Sequence, residues 1–293
     1  MRGLVKQRSW GGELGAVTAT ISLCVCTMNR PQELDRALAS VRAGTKQPHE
    51  LVVSDDGHDE ATKGVAERHG AIYQPGPARG LAANRNACLD LVTGSHVVFI
   101  DDDVAVGPRF IETAMRVASN DVVTGWERNH AGGQSRRVEP SNPGFLGFQD
   151  QPVLNERKAI VINATVFPGH LFARARFTEQ SRYGYEELDM ARQAVASGYR
   201  IVFADDLFVD HFPSAVNRDQ YARVLVASRL YLTARAYRRY ERRPMKALAF
   251  CLVAPMHHVL SEVRAGRHGF EVLRPIGLAW SYAREASRQS GIG

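Results

Sequence analysis

The sequence predicts an α/β fold in which helices flank a mostly parallel sheet. Short apolar segments typical of buried strands alternate with segments of helical periodicity through the first hundred residues. The chain has 293 residues, of which 44% are hydrophobic and 23% charged, so it can bury a sizeable core. A helix between two strands returns the chain to the starting end of the sheet, so the two strands run parallel, and such crossovers are right-handed.

The predicted elements of the first half follow one another closely. A continuous apolar segment makes residues 21–27 a strand, and Pro31 begins a helix over 32–41 because proline suits a first helical turn. The remaining elements are a strand at 50–54, a short helix ending at 65, a strand at 71–73, a loop at 74–77, a helix at 81–91 and a strand ending at Asp101. In such a sheet, ligands bind beyond the carboxyl ends of the strands.

The second half is less regular. Residues 129–142 are polar and glycine-rich, which predicts a flexible loop near a substrate. The later elements are a strand over 159–166, a helix over 186–196, a strand over 199–204 and a strand segment at 207–209 that Asp210 and His211 close. From Gln220 onward the sequence is helical in character and rich in arginine.

Charge and periodicity divide the chain into three segments. Residues 216–293 hold fourteen Lys/Arg and five Asp/Glu, a net of +9, so the remainder carries −3 of the total of +6. We therefore expect a flexible tail at 1–18, an α/β domain at 19–215 and a basic helical extension at 216–293. The apolar stretch 245–260 is too short and interrupted to span a membrane.

The basic extension fits three kinds of contact. An arginine-rich amphipathic unit suits peripheral binding to an anionic membrane. A cap over the sheet and a homodimer interface, with the arginines in solvent, are the alternatives. No nucleic-acid-binding motif accompanies the charge, so no nucleic-acid partner is expected.

The cellular location is predicted from the cysteines and the start of the chain. Cys24 and Cys26 share one face of the first strand, and no second Cys/His pair accompanies them, which predicts buried free thiols. No apolar segment typical of a secretion signal follows Arg2 and Lys6. These features predict a cytoplasmic protein, with a peripheral position at the inner membrane face as an alternative.

Three adjacent carboxylates, Asp101, Asp102 and Asp103, end the apolar strand. Like charges this close repel one another unless a cation relieves them, and Mg²⁺ and Mn²⁺ prefer oxygen ligands. The triplet therefore predicts a divalent metal that carries a phosphorylated ligand. The alternatives are an acidic turn and a phosphatase pattern of Asp-x-Asp-x-Thr/Val, in which Ala105 stands at the Thr/Val position.

Polar residues that follow the first two strands are expected at the same edge of the sheet. Thr27, Asn29 and Arg30 follow the first strand. Asp55 and Asp56 follow the second strand, although Asp-Gly is also an ordinary turn. Such groups can bind the base, ribose and phosphates of a nucleotide.

Charged residues at helix starts and at a strand end complete the candidate site. Gly80 precedes a helix whose N-terminus suits an anion, and Arg85 adds a fixed positive charge, with solvation as the alternative role. Glu186 and Glu187 open a later helix that has more acidic residues than capping needs, and a carboxylate there can act as a general base. His211 can complete an oxygen-rich metal site, although a lone histidine is more often structural.

Taken in order, these motifs resemble a GT-A glycosyltransferase of the family 2 type over about 21–211. Five segments carry the resemblance: 27–31 is similar to a Thr-x-Asn-Arg-Pro-like segment, 55–57 to Asp-Asp-Gly, 80–86 to Gly-x-x-x-x-Arg-Asn, 101–103 to the Asp-x-Asp metal motif, and 184–189 to a Gly-x-Glu-Asp-x-Asp-like base motif. The resemblance implies a Rossmann-like, nucleotide-sugar-binding catalytic domain at 19–215.

The resemblance also implies a role for each candidate residue. The donor would be held by Thr27, Asn29, Arg30, Asp55, Asp56, Gly80, Arg85, Asp101 and Asp102, and the metal, Mn²⁺ or Mg²⁺, by Asp103, Asp101 and His211. Glu187 stands where the family has its catalytic Asp, and Glu186 is the rival base. The implied reaction is an inverting displacement at the anomeric carbon of a nucleoside-diphosphate sugar, with UDP favoured.

The acceptor and two rival functions stay open. The acceptor hydroxyl belongs to a sugar, a lipid-linked glycan or a small molecule, and we expect residues 125–170 to recognise it. A nucleotidyltransferase normally has a glycine-rich basic loop after the first strand, and residues 26–30 contain no glycine. A nucleotide- or glycan-binding protein without catalysis is the other rival. Asp101, Asp103 and Glu187 argue against it, although Glu187 stands where the family has Asp.

Overall fold

The protein is described by a computed structural model over residues 19–57, 59–213 and 218–290. The tail predicted at 1–18 lies outside the described residues. So do residues 214–217, where the predicted boundary between the domain and its extension falls.

Nine strands form the main sheet. They are β1 Ile21–Thr27, β2 Glu50–Asp55, β3 Ile72–Pro75, β4 His96–Asp101, β5 Val104–Val106, β6 Val122–Ala131, β7 Gln134–Val138, β10 Thr165–Pro168 and β11 Ile201–His211. A separate hairpin consists of β8 Asn142–Pro143 and β9 Gln149–Gln151. The strand order in the sheet is β3-β2-β1-β4-β10-β6-β11-β5, and β7 pairs with β6.

The sheet is parallel in its first half and mixed in its second. β1 pairs in parallel with β2 and β4, and β2 with β3. β10 runs antiparallel to both β4 and β6, and β5 runs antiparallel to β11, while β6 and β11 are parallel. The mostly parallel sheet predicted from the sequence is therefore correct for the first half only, because a short apolar segment carries no signal of strand direction.

Eight α-helices accompany the sheet within the described residues. They are α1 Pro31–Arg42, α2 Glu60–Arg68, α3 Leu81–Leu89, α4 Phe110–Val117, α5 Glu186–Ala196, α6 Arg218–Arg235, α7 Pro244–Arg264 and α8 Arg274–Ser290. Helices α1, α2 and α4 pack on one face of the sheet, and α3 and α5 pack on the other. The helices and strands predicted in the first hundred residues are confirmed, with bounds that differ by at most three residues.

The alternation of side chains along β1 separates the two apolar layers. Leu23 and Val25 belong to one layer, and Cys24 and Cys26 to the other. Both cysteines are buried free thiols, as predicted, and burial raises the pKa of each. They are packing residues of the strand rather than metal ligands.

The flexible loop predicted at 129–142 is wrong. β6 continues through Ala131 and turns back into β7 through Gly132 and Gly133, which have φ of 60° and 75°. Positive φ at both central residues is what a two-residue type I′ hairpin turn requires. The strands are polar because the hairpin is largely exposed, so their composition resembles that of a loop.

Three smaller predictions are also corrected. The strand predicted at 159–166 exists only from Thr165, because the Thr165 hydroxyl donates to the Val161 carbonyl at 2.6 Å and holds a 3-10 turn in between. Strand β3 extends through Pro75 into the predicted loop at 74–77, which an edge strand tolerates. The strand segments predicted at 199–204 and 207–209 are one strand, β11, with an irregularity between Phe203 and Phe208.

The C-terminal helices build a third apolar cluster. Tyr237, Phe250 and Tyr282 are buried at its centre, between α6, α7 and α8. No helix in the described ranges is both long and apolar enough to cross a bilayer.

Candidate functional site

The register of the sheet brings the predicted segments to one edge. Thr27 lies opposite Asp55 in the β1–β2 pair, and Cys26 lies opposite Asp101 in the β1–β4 pair. The polar residues after β1, β2 and β4 therefore share the carboxyl edge of the parallel half, where ligands of α/β sheets bind.

Asp102 joins the ends of β1 and β4. Its carboxylate is 4% exposed and accepts hydrogen bonds from Thr27 Oγ1 at 2.7 Å and from Arg30 Nη1 at 2.6 Å. Burial raises the pKa of Asp102 to about 7, although Arg30 and Thr27 oppose the rise. With both oxygens engaged, Asp102 fixes the position of the Arg30 side chain at the site.

His211 contacts two carboxylates. Its Nε2 lies 3.3 Å from Asp103 Oδ1, and its Nδ1 lies 3.1 Å from Glu127 Oε1. Burial alone would lower the pKa of His211, but Asp103 and Glu127 raise it to about 10. Burial acts to raise the pKa of Asp103, yet His211 and Arg30 outweigh it and lower that pKa. Asp103 and His211, predicted from separate motifs, thus lie side by side.

Glu127 is a site residue that the sequence analysis missed. It lies on β6, and Asn163 Nδ2 donates to its second oxygen at 3.4 Å. Its contact with His211 depends on the parallel pairing of β6 with β11, in which Asn129 lies opposite His211. No local pattern marks this glutamate, because the pairing joins segments about eighty residues apart.

Asp103 and His211 have donor atoms suited to a divalent metal. One carboxylate oxygen and one imidazole nitrogen face each other, a combination that Mn²⁺ accepts once the metal has displaced the proton that Asp103 and Glu127 hold on the imidazole. No group of three or more His, Cys, Asp and Glu side chains in the described part of the chain is arranged to hold a metal by itself. A metal held by Asp103 and His211 would therefore need further ligands from outside the protein.

Arg85 links the acidic triplet to the start of α5. The side chain is 1% exposed, and its two terminal nitrogens donate to Asp101 Oδ1 and Glu186 Oε1, each at 2.9 Å. Asp101 and Glu186 outweigh the burial of the guanidinium and raise the pKa of Arg85. The positive charge of Arg85, which the sequence analysis suggested for binding an anion, is therefore paired with two carboxylates of the protein.

A left-handed turn precedes the two glutamates of α5. Gly184 and Tyr185 have φ of 81° and 66°, and a Cβ at Gly184 would lie 2.2 Å from Leu225 Cδ2. A non-glycine residue in this conformation is strained, and such strain is common at functional sites. The turn brings Glu186 to Arg85 and places Glu187 apart from it.

Glu187 keeps some exposure to solvent while it is packed deep among protein atoms. Gln149 Nε2 donates to its Oε1 at 3.4 Å. Burial, together with the nearby charges of Glu186 and Glu127, raises the pKa of Glu187 to about 7. A carboxylate with a pKa near neutrality is suited to general base catalysis.

Asp55 and Asp56 order the loops of the nucleotide edge. The Asp55 side chain is fully buried and accepts hydrogen bonds from Gly57 N at 2.8 Å and Tyr73 OH at 3.2 Å. Asp56 accepts from Ala78 N at 3.0 Å and Gly80 N at 3.2 Å. Both carboxylates therefore hold backbone in place, and their predicted contact with the nucleotide stays a prediction.

Asn29 and Gly80 adopt positive φ, of 56° and 98°. A Cβ at Gly57 would lie 2.2 Å from Asn29 Oδ1, and one at Gly80 would lie 2.5 Å from the Arg182 carbonyl oxygen. These close approaches pack the loop after β1 against the loop after β2, and the start of α3 against the segment before α5.

Asn84 has a structural role at this edge. It is buried on α3 and donates to the Ser54 carbonyl at 3.0 Å, which links α3 to β2.

The strand order, the carboxylates at the parallel edge and the glutamates of α5 define a glycosyltransferase of the GT-A fold. Residues 22–178 match the model of the family described as Glycosyl transferase family 2. Over 226 residues the chain is 30% identical to the succinoglycan biosynthesis protein ExoM of Rhizobium meliloti, and the match covers 70% of each chain. The chain belongs to glycosyl transferase family 2, which confirms the resemblance; the segment 184–189 lies beyond the residues matched by the family model.

Two further comparisons cover different shares of the chain. The chain is 33% identical over 108 residues to a glucosyl-dolichyl phosphate glucuronosyltransferase of Haloferax volcanii, and the match covers 34% of each chain, so only about a third of that relative is represented. The mannosyltransferase PcManGT from Pyrobaculum calidifontis, solved with GDP-Man and Mn²⁺, has a TM-score of 0.58 and 15% identity over 94% of this chain and 85% of its own. The structural likeness confirms the predicted GT-A fold.

Proposed function

We propose that the protein is a metal-dependent, inverting glycosyltransferase that moves a sugar from a UDP-sugar to a hydroxyl of a lipid-linked glycan. The observation that carries the proposal is the contrast between Glu186 and Glu187. Glu186 is paired with Arg85, whereas Glu187 is half-buried, forms no ion pair with a cation among the described residues and has a pKa raised to about 7. Of the two, Glu187 is therefore the better placed to take a proton from an acceptor.

The metal would be held by Asp103 and His211 at the ends of β4 and β11. Bound there, it would neutralise the charge that develops on the diphosphate leaving group. Arg30, which donates to Asp103 Oδ2 at 3.3 Å and is held in place by Asp102, has a positive charge at the same edge, where it would attract a phosphate. Asp101 is tied to Arg85, so its role in binding the donor is secondary in this proposal.

Glu187 acts on the acceptor side of the reaction. It accepts the proton of the acceptor hydroxyl as that oxygen attacks the anomeric carbon, and the nucleoside diphosphate leaves from the opposite face, which inverts the configuration. The charge of Glu127 contributes to the raised pKa of Glu187, which supports a base near the Glu127–His211 pair. Gln149 holds one carboxylate oxygen, so the other is left for the acceptor.

The acceptor class is supported by the relatives. The name of the Haloferax relative specifies a sugar linked to dolichyl phosphate. Because that match covers a third of each chain, a lipid-linked acceptor is a proposal for this protein.

A panel of UDP- and GDP-sugars tested by thermal shift with Mn²⁺ identifies the donor, since a bound ligand raises apparent stability by mass action.

The role of the base is tested by the variant Glu187→Gln. We expect it to abolish sugar transfer and to leave donor binding, measured by calorimetry, within about twofold of the parent. Glu67→Gln, on the exposed surface of α2, is the control and keeps both activities. Transfer at the parent rate by Glu187→Gln would show that Glu187 is not the base, and Glu186→Gln would then be the variant to assay.

A further inference from the structure

Helix α7 is attached to the protein through one narrow face. Within its 21 residues, the buried positions are Ala247, Phe250, Ala254 and His258. These positions recur at three- and four-residue spacing and so lie on one side of the helix. They pack into the apolar cluster of the C-terminal helices.

The opposite face of α7 is apolar and exposed. Its large side chains are Met245 at 74% exposure, Leu248 at 54%, Leu252 at 68%, Met256 at 58%, Leu260 at 48% and Val263 at 45%. At helical spacing these six form one stripe about 27 Å long. No Asp, Glu, Lys or Arg occurs from Ala247 to Ser261. A helix that is apolar on both faces is expected where both faces are covered, and an exposed apolar stripe of this size is typical of an interaction surface.

Apolar surface continues beyond α7. Phe270 is 87% exposed in the connection to α8, and Trp280 of α8 is 62% exposed. Trp280 shares an apolar groove with Cys251 and Pro255 of α7. Exposed aromatic residues beside an apolar helix are typical of a membrane interface.

The N-terminal end of the stripe is basic. Arg238, Arg239, Arg242 and Arg243 precede or adjoin α7 and are exposed. None of the ion pairs formed among residues 218–290 involves these four arginines. This charge favours an anionic occupant. A second copy of this chain would offer these arginines no anionic surface, because residues 216–293 carry a net charge of +9.

We propose that α7 lies in the surface of an anionic membrane, with the stripe from Met245 to Val263 in the boundary between headgroups and acyl chains. The arginines at its N-terminal end pair with lipid phosphates. The helix lies along the surface rather than across it, because its other face, which carries Phe250, is packed against Tyr237 in the apolar cluster of the C-terminal helices.

The packed side of α7 is linked to the proposed base. The ring of Phe148 lies 6.1 Å from that of His257 on α7, and Phe145 packs against Phe250 at 6.0 Å. Gln149, which follows Phe148 in the sequence, is the hydrogen-bond partner of Glu187. Because α7 and the segment with Gln149 are packed together, docking of α7 would hold Glu187 at a fixed distance from the bilayer. The use of this position for a lipid-linked acceptor, unlike the docking, rests on the proposed function.

The docking is tested with the full chain and vesicles of phosphatidylcholine containing about 30% phosphatidylglycerol, which carry the charge of an anionic surface. We expect the parent protein to sediment with these vesicles and to bind pure phosphatidylcholine vesicles at least about tenfold more weakly. The double variant Leu252→Glu with Met256→Glu should lose vesicle binding about tenfold or more. Both side chains are exposed, so the fold is kept, which circular dichroism checks.

A matched control separates docking from general hydrophobicity. Leu154→Glu replaces a leucine that is 82% exposed outside the C-terminal helices, and it should bind vesicles like the parent. Equal binding by the double variant, or no binding by the parent, overturns the proposal. A solution dimer that the double variant dissociates, without vesicle binding by the parent, would make a second copy the occupant. Vesicle binding needs no turnover, so its failure is distinguishable from a failure of the proposed reaction.

Discussion

Glu186 and Glu187 are adjacent in the sequence and differ in their surroundings. The left-handed turn at Gly184 and Tyr185 directs Glu186 to Arg85, so its charge is compensated. Glu187 forms no ion pair with a cation among the described residues, and the nearby charges of Glu186 and Glu127 raise its pKa. The local backbone thus pairs Glu186 with Arg85, and Glu187 is the glutamate that we propose as the base.

The raised pKa of Glu187 predicts a stability effect. Because the folded chain holds this proton more tightly, the free energy of unfolding falls as the pH rises from about 4.5 to about 7. Glutamine does not ionise, so Glu187→Gln avoids this fall in the free energy of unfolding. The variant should be more stable than the parent above pH 7 by about 1–2 kcal/mol, after allowance for partial exposure of the side chain. Urea unfolding at pH 5 and pH 8 measures the difference. An equal effect at both pH values would contradict the raised pKa.

The raised pKa of Glu187 also predicts how the rate of sugar transfer depends on pH. Only the ionised form of a carboxyl can accept a proton, so the rate should rise with pH and level off above about 7. Initial rates between pH 5 and pH 9 with saturating donor test this. A rate that is already maximal at pH 5 would exclude a base with a raised pKa.

Arg85 carries a large share of the stability of the site. Arg85→Met leaves Asp101 and Glu186 without their buried cation and should lower the free energy of unfolding by about 3–5 kcal/mol. Arg79→Met, which removes an exposed arginine paired with Glu179, is the control and should change stability by less than about 1 kcal/mol. Equal losses in urea unfolding would show that the buried contacts of Arg85 are not special.

At the scale of elements, α5 and α6 are joined by one buried carboxylate. Asp189 is 1% exposed, accepts from Thr178 Oγ1 at 2.6 Å and pairs with Arg235 Nη1 at 3.2 Å. Asp189→Ala should cost about 3–5 kcal/mol and increase hydrogen exchange in α6, α7 and α8. Asp206→Ala, in an exposed pair with Arg116, should do neither. Unchanged exchange in Asp189→Ala would show that other contacts hold the C-terminal helices.

The elements also show which parts of the fold a sequence can predict. β1, β2 and β4 are buried on both faces, so each is a continuous apolar segment. The β6–β7 hairpin is polar because it is exposed, and only Gly132 and Gly133 mark its turn. At the site, the acidic triplet and the α5 glutamates follow from local patterns. Glu127 does not, because strand pairing alone brings it to His211.

At the scale of the whole molecule, the two proposals assign different partners to the acidic edge of the sheet and to the basic helical unit. Asp103 and Arg30, at the carboxyl edge of the sheet, would contact the donor. The C-terminal helices would turn the apolar stripe of α7 and its neighbouring exposed arginines toward a membrane. The loop that carries Phe148 and Gln149 connects the two surfaces. We infer that donor and acceptor approach Glu187 from different sides.

Metal-dependent binding of the donor is the central claim, and a calorimetric titration of UDP tests it most directly. With Mn²⁺ we expect saturable binding, and in EDTA at least about tenfold weaker binding, because the diphosphate charge is then unneutralised beside Asp103. Asp103→Asn should lose most of the gain due to Mn²⁺, while Asp206→Asn on the surface should keep it. Equal affinity for UDP in Mn²⁺ and in EDTA would contradict the metal site and the mechanism built on it.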